Sequence, residues 1–323
     1  MTLQPLEKPD LVTDRHSAKV QRNDALFRHT SRLAAILVMV ILFGILFSMI
    51  WSAWPAFQHF GFGFFSSTQW NVKTGEYGAV VAVAGTIISS LIALVIGVPI
   101  SIGIAVFLTQ LCPEMLKRPI AMTIELLAAV PSIIFGMWGL FVLAPILARF
   151  VQIPVSQLVE GIPLVGSLFH AAVPSGLGIL TAGIILAIMI IPSIASFLRD
   201  VLEQIPAVLR ESAFGLGCTT YETVRHVLLP QAGASIVGAV MLGLGRALGE
   251  TMAVTFVIGN SNRLSASLFD PGSTIASRIA NEFQEADAMQ LHALMALGCI
   301  LFLITFIILV CSRLLIMRAR TFQ

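Results

Sequence analysis

Charged side chains are scarce in this chain. Asp, Glu, Lys and Arg together make up 11% of its residues, whereas they supply about a quarter of a typical soluble domain. Hydrophobic residues make up 57%, and the mean hydropathy is +0.93. A chain of this composition cannot cover its surface with polar groups, which argues against a soluble protein and favours one that folds in lipid. The formal net charge of +2 gives no indication of a nucleic-acid partner.

Several motifs that carry chemistry are also missing. The four cysteines form no CxxC pair, and no Cys or His cluster is apparent, so we expect neither a zinc site nor a disulfide framework. There is no G-x-x-x-x-G-K-[ST] phosphate loop, so the chain is not expected to bind ATP in that way. HExxH and GxSxG are absent as well, which leaves no motif for proteolysis or hydrolysis. We therefore predict no catalytic residue, no metal site and no cofactor bound by this chain.

Long apolar runs take the place of the missing charge. A helix needs roughly 20 mostly apolar residues to cross the hydrocarbon core of a bilayer. Six stretches meet that requirement, so the predicted fold class is an all-α membrane protein with six transmembrane helices. Residues 1–31 are predicted to form a cytoplasmic N-terminal segment, and residues 32–323 the transmembrane domain. The predicted spans are 32–54, 79–110, 121–148, 174–198, 232–259 and 290–314.

Basic residues are distributed unevenly between the segments that join these spans. With the N-terminus inside, fourteen of the nineteen Lys and Arg residues lie on the cytoplasmic side, four lie outside, and one lies within a span. Because basic residues that flank membrane spans stay in the cytoplasm, this distribution predicts an inner-membrane protein with both termini in the cytoplasm. The outer segment 260–289 carries charges of both signs, and we predict either a solvated loop or a docking surface for an external partner.

The segment between the fourth and fifth predicted spans has its own pattern. Helical spacing predicts one short helix at 206–215 and a second at 220–228, with glycines marking the turn between them. Thr219 or Thr220 is predicted to cap the second helix, and Pro230 to end it. Two short helices joined by a turn form a compact projection that can fill a groove on another protein.

Two charged residues, Arg246 and Glu250, fall near the middle of the fifth predicted span. A charge at the bilayer centre costs at least about 2.5–3.5 kcal/mol, so both are expected to be paired and to face protein or water. Their i, i+4 spacing predicts that guanidinium and carboxylate lie on one helical face, within reach of each other. Gly245 and Gly249 form a small-xxx-small pair that lets a neighbouring helix pack closely. The charged pair either locks helix packing or lines a substrate pathway, where the planar guanidinium suits a tetrahedral oxyanion.

Prolines interrupt two other predicted spans. Pro131 and Pro192 are predicted to kink the third and fourth spans, and the alternative is that they and the serines after them expose backbone groups to a pathway. Glu125 is predicted to cap the start of the third span, and the alternative is that it faces the pathway.

Residues 211–230 resemble the EAA-loop signature of ABC importer permeases. The matching positions keep the spacing of that signature, and Ser212 and Val227 depart mildly from its residue types. The matching residues are Glu211, Ser212, Ala213, Gly217, Val227, Leu229 and Pro230. In that family the loop carries the coupling helix, which docks into a cleft of a cytoplasmic ATP-binding subunit. The resemblance implies that 199–231 is a coupling loop and that a partner ATPase binds ATP and Mg²⁺.

Two spans resemble one branch of that family more closely. Gly-Arg-Ala-Leu-Gly-Glu-Thr-Met-Ala-Val at 245–254 and the segment 128–145 are similar to the C-type permeases of high-affinity phosphate-specific importers. The shorter Arg-Ala-Leu-Gly-Glu looks like a motif that sulfate and molybdate importers share. The resemblance implies a type I ABC importer permease (MetI-like) fold, with a sister permease as heterodimer partner, a dimeric ATP-binding subunit inside and a phosphate-binding protein outside.

Three functions remain open on the sequence alone. The first is a phosphate importer permease working by alternating access, and the second is the same machine for another oxyanion such as sulfate or molybdate. The third is an ion-coupled secondary anion carrier that needs no ATPase, which would leave the loop signature at 211–230 unexplained.

Overall fold

The computed structural model describes residues 11–159, 161–162, 165–170 and 173–321, so the first ten residues of the predicted N-terminal segment lie outside it. Contacts divide the chain into two units, Met1–Trp51 and Ser52–Gln323. In chain order the elements are α1 (Leu11–Phe60), α2 (Gly63–Ser66), β1 (Trp70–Asn71), β2 (Glu76–Tyr77), α3 (Val80–Leu111), α4 (Glu114–Ala128), α5 (Ser132–Leu158), α6 (Val165–Phe169), α7 (Ile179–Glu203), α8 (Ala207–Gly215), α9 (Thr220–Gln231), α10 (Gly233–Gly249), α11 (Met252–Val257), α12 (Ile275–Glu282) and α13 (Ala288–Thr321).

Helices dominate the described part of the chain. Five are long and apolar enough to cross a membrane, and α9 with α10, bent by 73° at their junction, is a sixth candidate. One π-helical turn forms the end of α3, two lie within α5 and one lies within α9. The strands β1 and β2 pair antiparallel over two residues each, with Trp70 opposite Tyr77. The predicted all-α membrane class is therefore confirmed. The five spans are Asn23–Phe60, Val80–Leu111, Ser132–Leu158, Ile179–Glu203 and Ala288–Leu314.

The third predicted span, 121–148, is misplaced. Residues Glu114–Ala128 form the separate helix α4, which buries no residue, and the membrane-length helix begins only at Ser132. Pro131 immediately precedes α5 and has the extended backbone of a helix-capping position. Proline is tolerated at a helix start because it lacks the N–H that an interior residue donates. Pro131 therefore begins a helix instead of kinking one.

The larger hydrophobic core of the unit Ser52–Gln323 lies between α3, α5, α7, α10 and α11. Ile185, Ile190 and Ile194 of α7 are fully buried at its centre. Helices in lipid associate mainly through close packing, which small residues permit. A methyl group at Gly136 of α5 would lie 2.9 Å from the Cα of Ala253 in α11. The two helices can therefore approach each other only because residue 136 has no side chain.

A second cluster packs the β-hairpin and α12 against α13. At its edge the Arg278 guanidinium lies 4.6 Å from the ring centroid of Trp70, and its Nη2 donates to Asn262 Oδ1 and Ser273 Oγ, both at 2.6 Å. The Trp70 indole donates to Glu282 Oε2 at 2.8 Å. Burial lowers the pKa of Arg278 to about 10, and the Glu282 carboxylate opposes that shift. The segment 260–289, predicted to lie outside, is thus packed around a buried cation, which excludes a purely solvated loop.

Candidate functional site

The fifth predicted span, 232–259, is interrupted near its middle. Helix α10 ends at Gly249, and Glu250 takes an extended backbone conformation with φ −69° and ψ 124°. Helix α11 begins at Met252. The Glu250 Oε1 accepts a hydrogen bond from the backbone N of Ala253 at 3.4 Å, so the carboxylate satisfies one of the N–H groups that a helix start leaves without a partner.

The predicted ion pair between Arg246 and Glu250 is wrong. No N···O contact within 4.0 Å joins them among the described residues. The chain leaves the helix at Glu250, and i, i+4 proximity requires a continuous helix. The Arg246 Nη1 instead donates to Ser193 Oγ of α7 at 2.7 Å. Both Arg246 and Glu250 are half-buried, which leaves part of each charged group open to a space that this chain does not fill.

The glycines of α10 present an open face. Gly245 and Gly249, together with Gly238, recur at spacings of seven and four residues and therefore share one side of the helix. A methyl group placed on any of the three would have no neighbour within 4 Å. In the described part of the chain no helix packs on this face. The predicted packing role of Gly245 and Gly249 thus remains a prediction. The helix that would pack on them would have to belong to another chain.

The segment 199–231 contains the two predicted short helices. Helix α8 ends in a Schellman motif, because the N of Gly217 donates to Phe214 O at 2.9 Å and the N of Cys218 donates to Ala213 O at 3.0 Å. Gly217 has φ +87°, a left-handed conformation that costs other residues roughly 1–2 kcal/mol. Glycine at 217 therefore makes the turn.

The second short helix begins as predicted and ends later. Thr219 caps it in a capping box with Glu222: the Glu222 N donates to Thr219 Oγ1 at 3.3 Å, and the Thr219 N donates to Glu222 Oε2 at 2.8 Å. The helix passes through Pro230 and ends at Gln231, instead of at residue 228. Pro230 follows a π-helical turn and lies in the first turn of a short α-helical segment. Proline fits at that position because the N–H that it lacks has no helical partner there.

The signature residues of the loop divide into two sets. Ala213 is buried, Val227 and Leu229 are half-buried, and Gly217 makes the turn, so these positions fix the shape. The others, Glu211, Ser212 and Pro230, are exposed. Large apolar side chains are exposed around the same turn, most of all at Leu216, which is 86% exposed. The loop therefore presents an apolar tip with polar residues beside it.

Ion pairs join α4 to the last turns of α7, directly before this loop. The Arg199 Nη1 lies 2.9 Å from Glu125 Oε1, and the Lys117 Nζ lies 3.0 Å from Glu203 Oε1. Glu125 lies in the last turn of α4, so its predicted role as a helix-start cap is wrong. Arg199 and Glu203 belong to the last turns of α7, directly before the loop. The contacts join the entry of the loop to a helix on a distant part of the sequence.

The Lys117–Glu203 contact yields a prediction. The variant Lys117→Glu places two carboxylates together, and we expect the activity of the protein to fall roughly two- to fivefold, since partly exposed pairs contribute at most about 1 kcal/mol. Adding Glu203→Lys to the same chain restores the attraction and should restore the rate. Arg118→Glu is the control, because Arg118 is exposed and has no hydrogen bond or ion pair in the described part of the chain. Equal losses in Lys117→Glu and Arg118→Glu would contradict the role of the pair.

Sequence reasoning missed three of these side chains as partners. Ser193 was noted only for the proline before it, although a hydroxyl at mid-span is a possible partner for a buried arginine. Lys117 and Glu203 lie 86 positions apart in the sequence, so no local spacing could have indicated their contact.

Comparisons with known proteins agree with this architecture. A profile of the family described as binding-protein-dependent transport system inner membrane component matches residues 97–321. The chain is 52% identical over 316 residues to the phosphate transport system permease protein PstC of Mesorhizobium japonicum, covering 96% of each chain. It is 52% identical over 295 residues to the protein of the same name from Pasteurella multocida, covering 91% of this chain and 92% of that one.

A solved structure is similar in fold. A bacterial ABC transporter involved in the import of the acidic polysaccharide alginate superimposes with a TM-score of 0.54 at 16% identity, over 94% of this chain and 99% of that one. The resemblance drawn from residues 211–230 and from the two spans is confirmed, as is the importer-permease fold. The chain belongs to the family of binding-protein-dependent transport system inner membrane components, the multi-pass inner-membrane permeases of ABC importers.

Proposed function

We propose that this chain is the permease subunit that moves inorganic phosphate inward through an ATP-driven importer. The observation that carries the proposal is a half-buried arginine, Arg246, in the last turn of a helix that is interrupted at mid-span. A guanidinium at that depth is costly to insert, so a charged residue within a span indicates a function. Its planar donors suit a tetrahedral oxyanion. The relatives that are 52% identical over most of the chain are named phosphate transport permeases, which supports phosphate as that anion.

Arg246 and Glu250 act at different points of the pathway. Arg246 attracts the anion and donates hydrogen bonds to it. Glu250, held at the start of α11 and not against Arg246, leaves the guanidinium free to bind. Its carboxylate can accept a hydrogen bond from a protonated phosphate oxygen, which sulfate lacks at neutral pH. Glu250 therefore favours phosphate over sulfate in the pathway.

A second permease subunit covers the open glycine face of α10. Gly238, Gly245 and Gly249 have no neighbour in this chain, and small residues at such spacings allow close helix contacts in membranes. Arg246 lies three residues before Gly249 on the same helix, so its side chain borders the glycine face. The pathway then runs between this chain and a sister permease, with which it forms a heterodimer, and Arg246 lies at that interface.

The cytoplasmic loop binds a dimeric ATPase. Its exposed apolar tip, with Leu216 at the turn, fits a groove on another protein. This chain then supplies no catalysis and no cofactor site, and ATP and Mg²⁺ are bound by the ATPase. The loop lies in the cytoplasm, as do both termini, and the segment 260–289 faces the external phosphate-binding protein.

These parts work by alternating access. The loaded binding protein docks outside, and ATP binding closes the ATPase dimer below. The loop 199–231 transmits that closure, and its contacts with α4 carry the motion to a second cytoplasmic element. The bundle opens outward, takes up phosphate at Arg246, and opens inward after hydrolysis.

Uptake by the reconstituted complex tests the function. The four components are placed in proteoliposomes with ATP, and labelled phosphate uptake is measured with unlabelled phosphate, sulfate or molybdate as competitors. We expect ATP-dependent uptake that only phosphate competes for. Competition by sulfate or molybdate would favour a broader oxyanion importer. Uptake without the ATPase would favour an ion-coupled carrier.

A further inference from the structure

We propose that the hydroxyl of Ser193 is a second phosphate-binding group of the pathway, acting beside Arg246. The inference rests on the proposed function and extends it to a residue on a different helix. Ser193 lies on α7 and Arg246 on α10, so the two residues would bind the anion from adjacent helices of the same bundle.

The contact between them leaves the needed donors available. The Ser193 Oγ accepts a hydrogen bond from Arg246 Nη1 at 2.7 Å. A serine hydroxyl also carries one proton of its own, and in the described part of the chain that proton is donated to no protein acceptor. An arginine has five N–H donors, and this contact uses one of them. The Ser193 O–H and the remaining guanidinium N–H groups are therefore free to donate to one anion.

The surroundings of Ser193 hold it in place. Its neighbours Pro192 and Ile194 are buried, and Ile190 one turn before is fully buried in the core between α3, α7 and α10. Ser193 itself is half-buried, as is Arg246. A polar group that is fixed by a packed helix and yet reaches open space is preorganised for binding, because little movement is needed when the ligand arrives.

The chemistry of the hydroxyl suits phosphate. Its proton can be donated to an unprotonated phosphate oxygen. Its second lone pair can accept from a protonated one. Because Arg246 donates to the same oxygen, the hydroxyl proton becomes more acidic and the hydrogen bond it donates becomes stronger. An apolar side chain at position 193 could not supply this hydrogen-bond donor.

Transport by three variants tests the proposal. Ser193→Ala removes the hydroxyl, Ser193→Thr keeps it, and Ser196→Ala removes a hydroxyl one turn away that donates to the backbone carbonyl of Ser193. Each complex is reconstituted with the binding protein saturated with phosphate, and uptake per assembled complex is measured together with the co-purification of all subunits. Since a hydrogen bond to a charged group is worth about tenfold or more in affinity, we expect at least a tenfold loss of uptake for Ser193→Ala. Ser193→Thr should keep at least half, and Ser196→Ala should change it less than twofold.

The outcomes separate this inference from the proposed function. Normal uptake by Ser193→Ala, with Arg246→Gln inactive, would overturn the role of Ser193 and leave the phosphate pathway in place. Equal losses in Ser193→Ala and Ser193→Thr, or loss of assembly in Ser193→Ala, would assign the serine to helix packing and also overturn it. Failure of the unaltered complex to take up phosphate would overturn the proposed function itself.

Discussion

Arg246→Gln is expected to abolish phosphate uptake and to leave membrane insertion and subunit assembly intact. Glutamine is polar but neutral, and removing a charge from a membrane span lowers the cost of inserting that span, so insertion should not suffer. It lacks the positive charge that offsets the loss of water around the anion. Hydrogen bonds to charged groups contribute about 1.5–3 kcal/mol each, so losing a bidentate pair corresponds to about a hundredfold or more in rate. The loss of rate is measured as uptake of labelled phosphate into proteoliposomes.

A matched control separates this effect from a general loss of charge. Arg118→Gln makes the same change on the exposed surface of α4, where Arg118 has no hydrogen bond or ion pair in the described part of the chain, and it should retain normal uptake. Normal uptake by Arg246→Gln would show that the anion passes elsewhere.

Gly217→Leu is expected to uncouple the ATPase from transport. Residue 217 has φ +87°, which glycine adopts without penalty and leucine only at a cost of about 1–2 kcal/mol. A Cβ atom there would meet nothing within 4 Å, so we expect the substitution to act on the turn and on whatever the loop contacts, and not on the core. We expect phosphate uptake per ATP hydrolysed to fall at least tenfold, measured on one reconstituted preparation.

The turn provides its own controls. Gly215→Leu places the same side chain two residues earlier, where φ is not positive and a methyl group also meets nothing within 4 Å, and it should have a much smaller effect. Gly217→Asn should preserve most of the coupling, because asparagine tolerates the left-handed conformation. Normal assembly and coupling in Gly217→Leu would count against the loop as the site of energy transfer.

The membrane spans were largely predictable because the bilayer sets their length and composition. The predicted span 79–110 corresponds to Val80–Leu111, and 290–314 lies within α13. The third span was misplaced because the amphipathic helix α4 places apolar residues directly before it, and a hydropathy window joins the two. The separating signal was present in Pro131, whose ring disfavours a helical conformation at the residue before it.

The candidate site residues could be selected from the sequence, but their geometry could not. A charge in the middle of an apolar run singles out Arg246 as a candidate without any structure. Its partner depends on where α10 ends, and that end depends on tertiary packing. Helix α11 approaches α5 through Gly136, a contact between residues more than 100 positions apart. The pairing of Arg246 with Ser193, and not with Glu250, follows from that arrangement.

In the pathway proposed above, the position of Arg246 at the end of a helix affects how long the anion stays bound. The last carbonyls of α10 lack helical N–H partners, and a helix end of this kind carries roughly half a negative elementary charge. Arg246 lies in that last turn, so an arriving anion meets a positive field that the helix end partly cancels. Weak retention favours rapid departure, as conduction through a membrane pathway requires. The same arginine at the beginning of a helix would hold the anion tightly and slow each cycle.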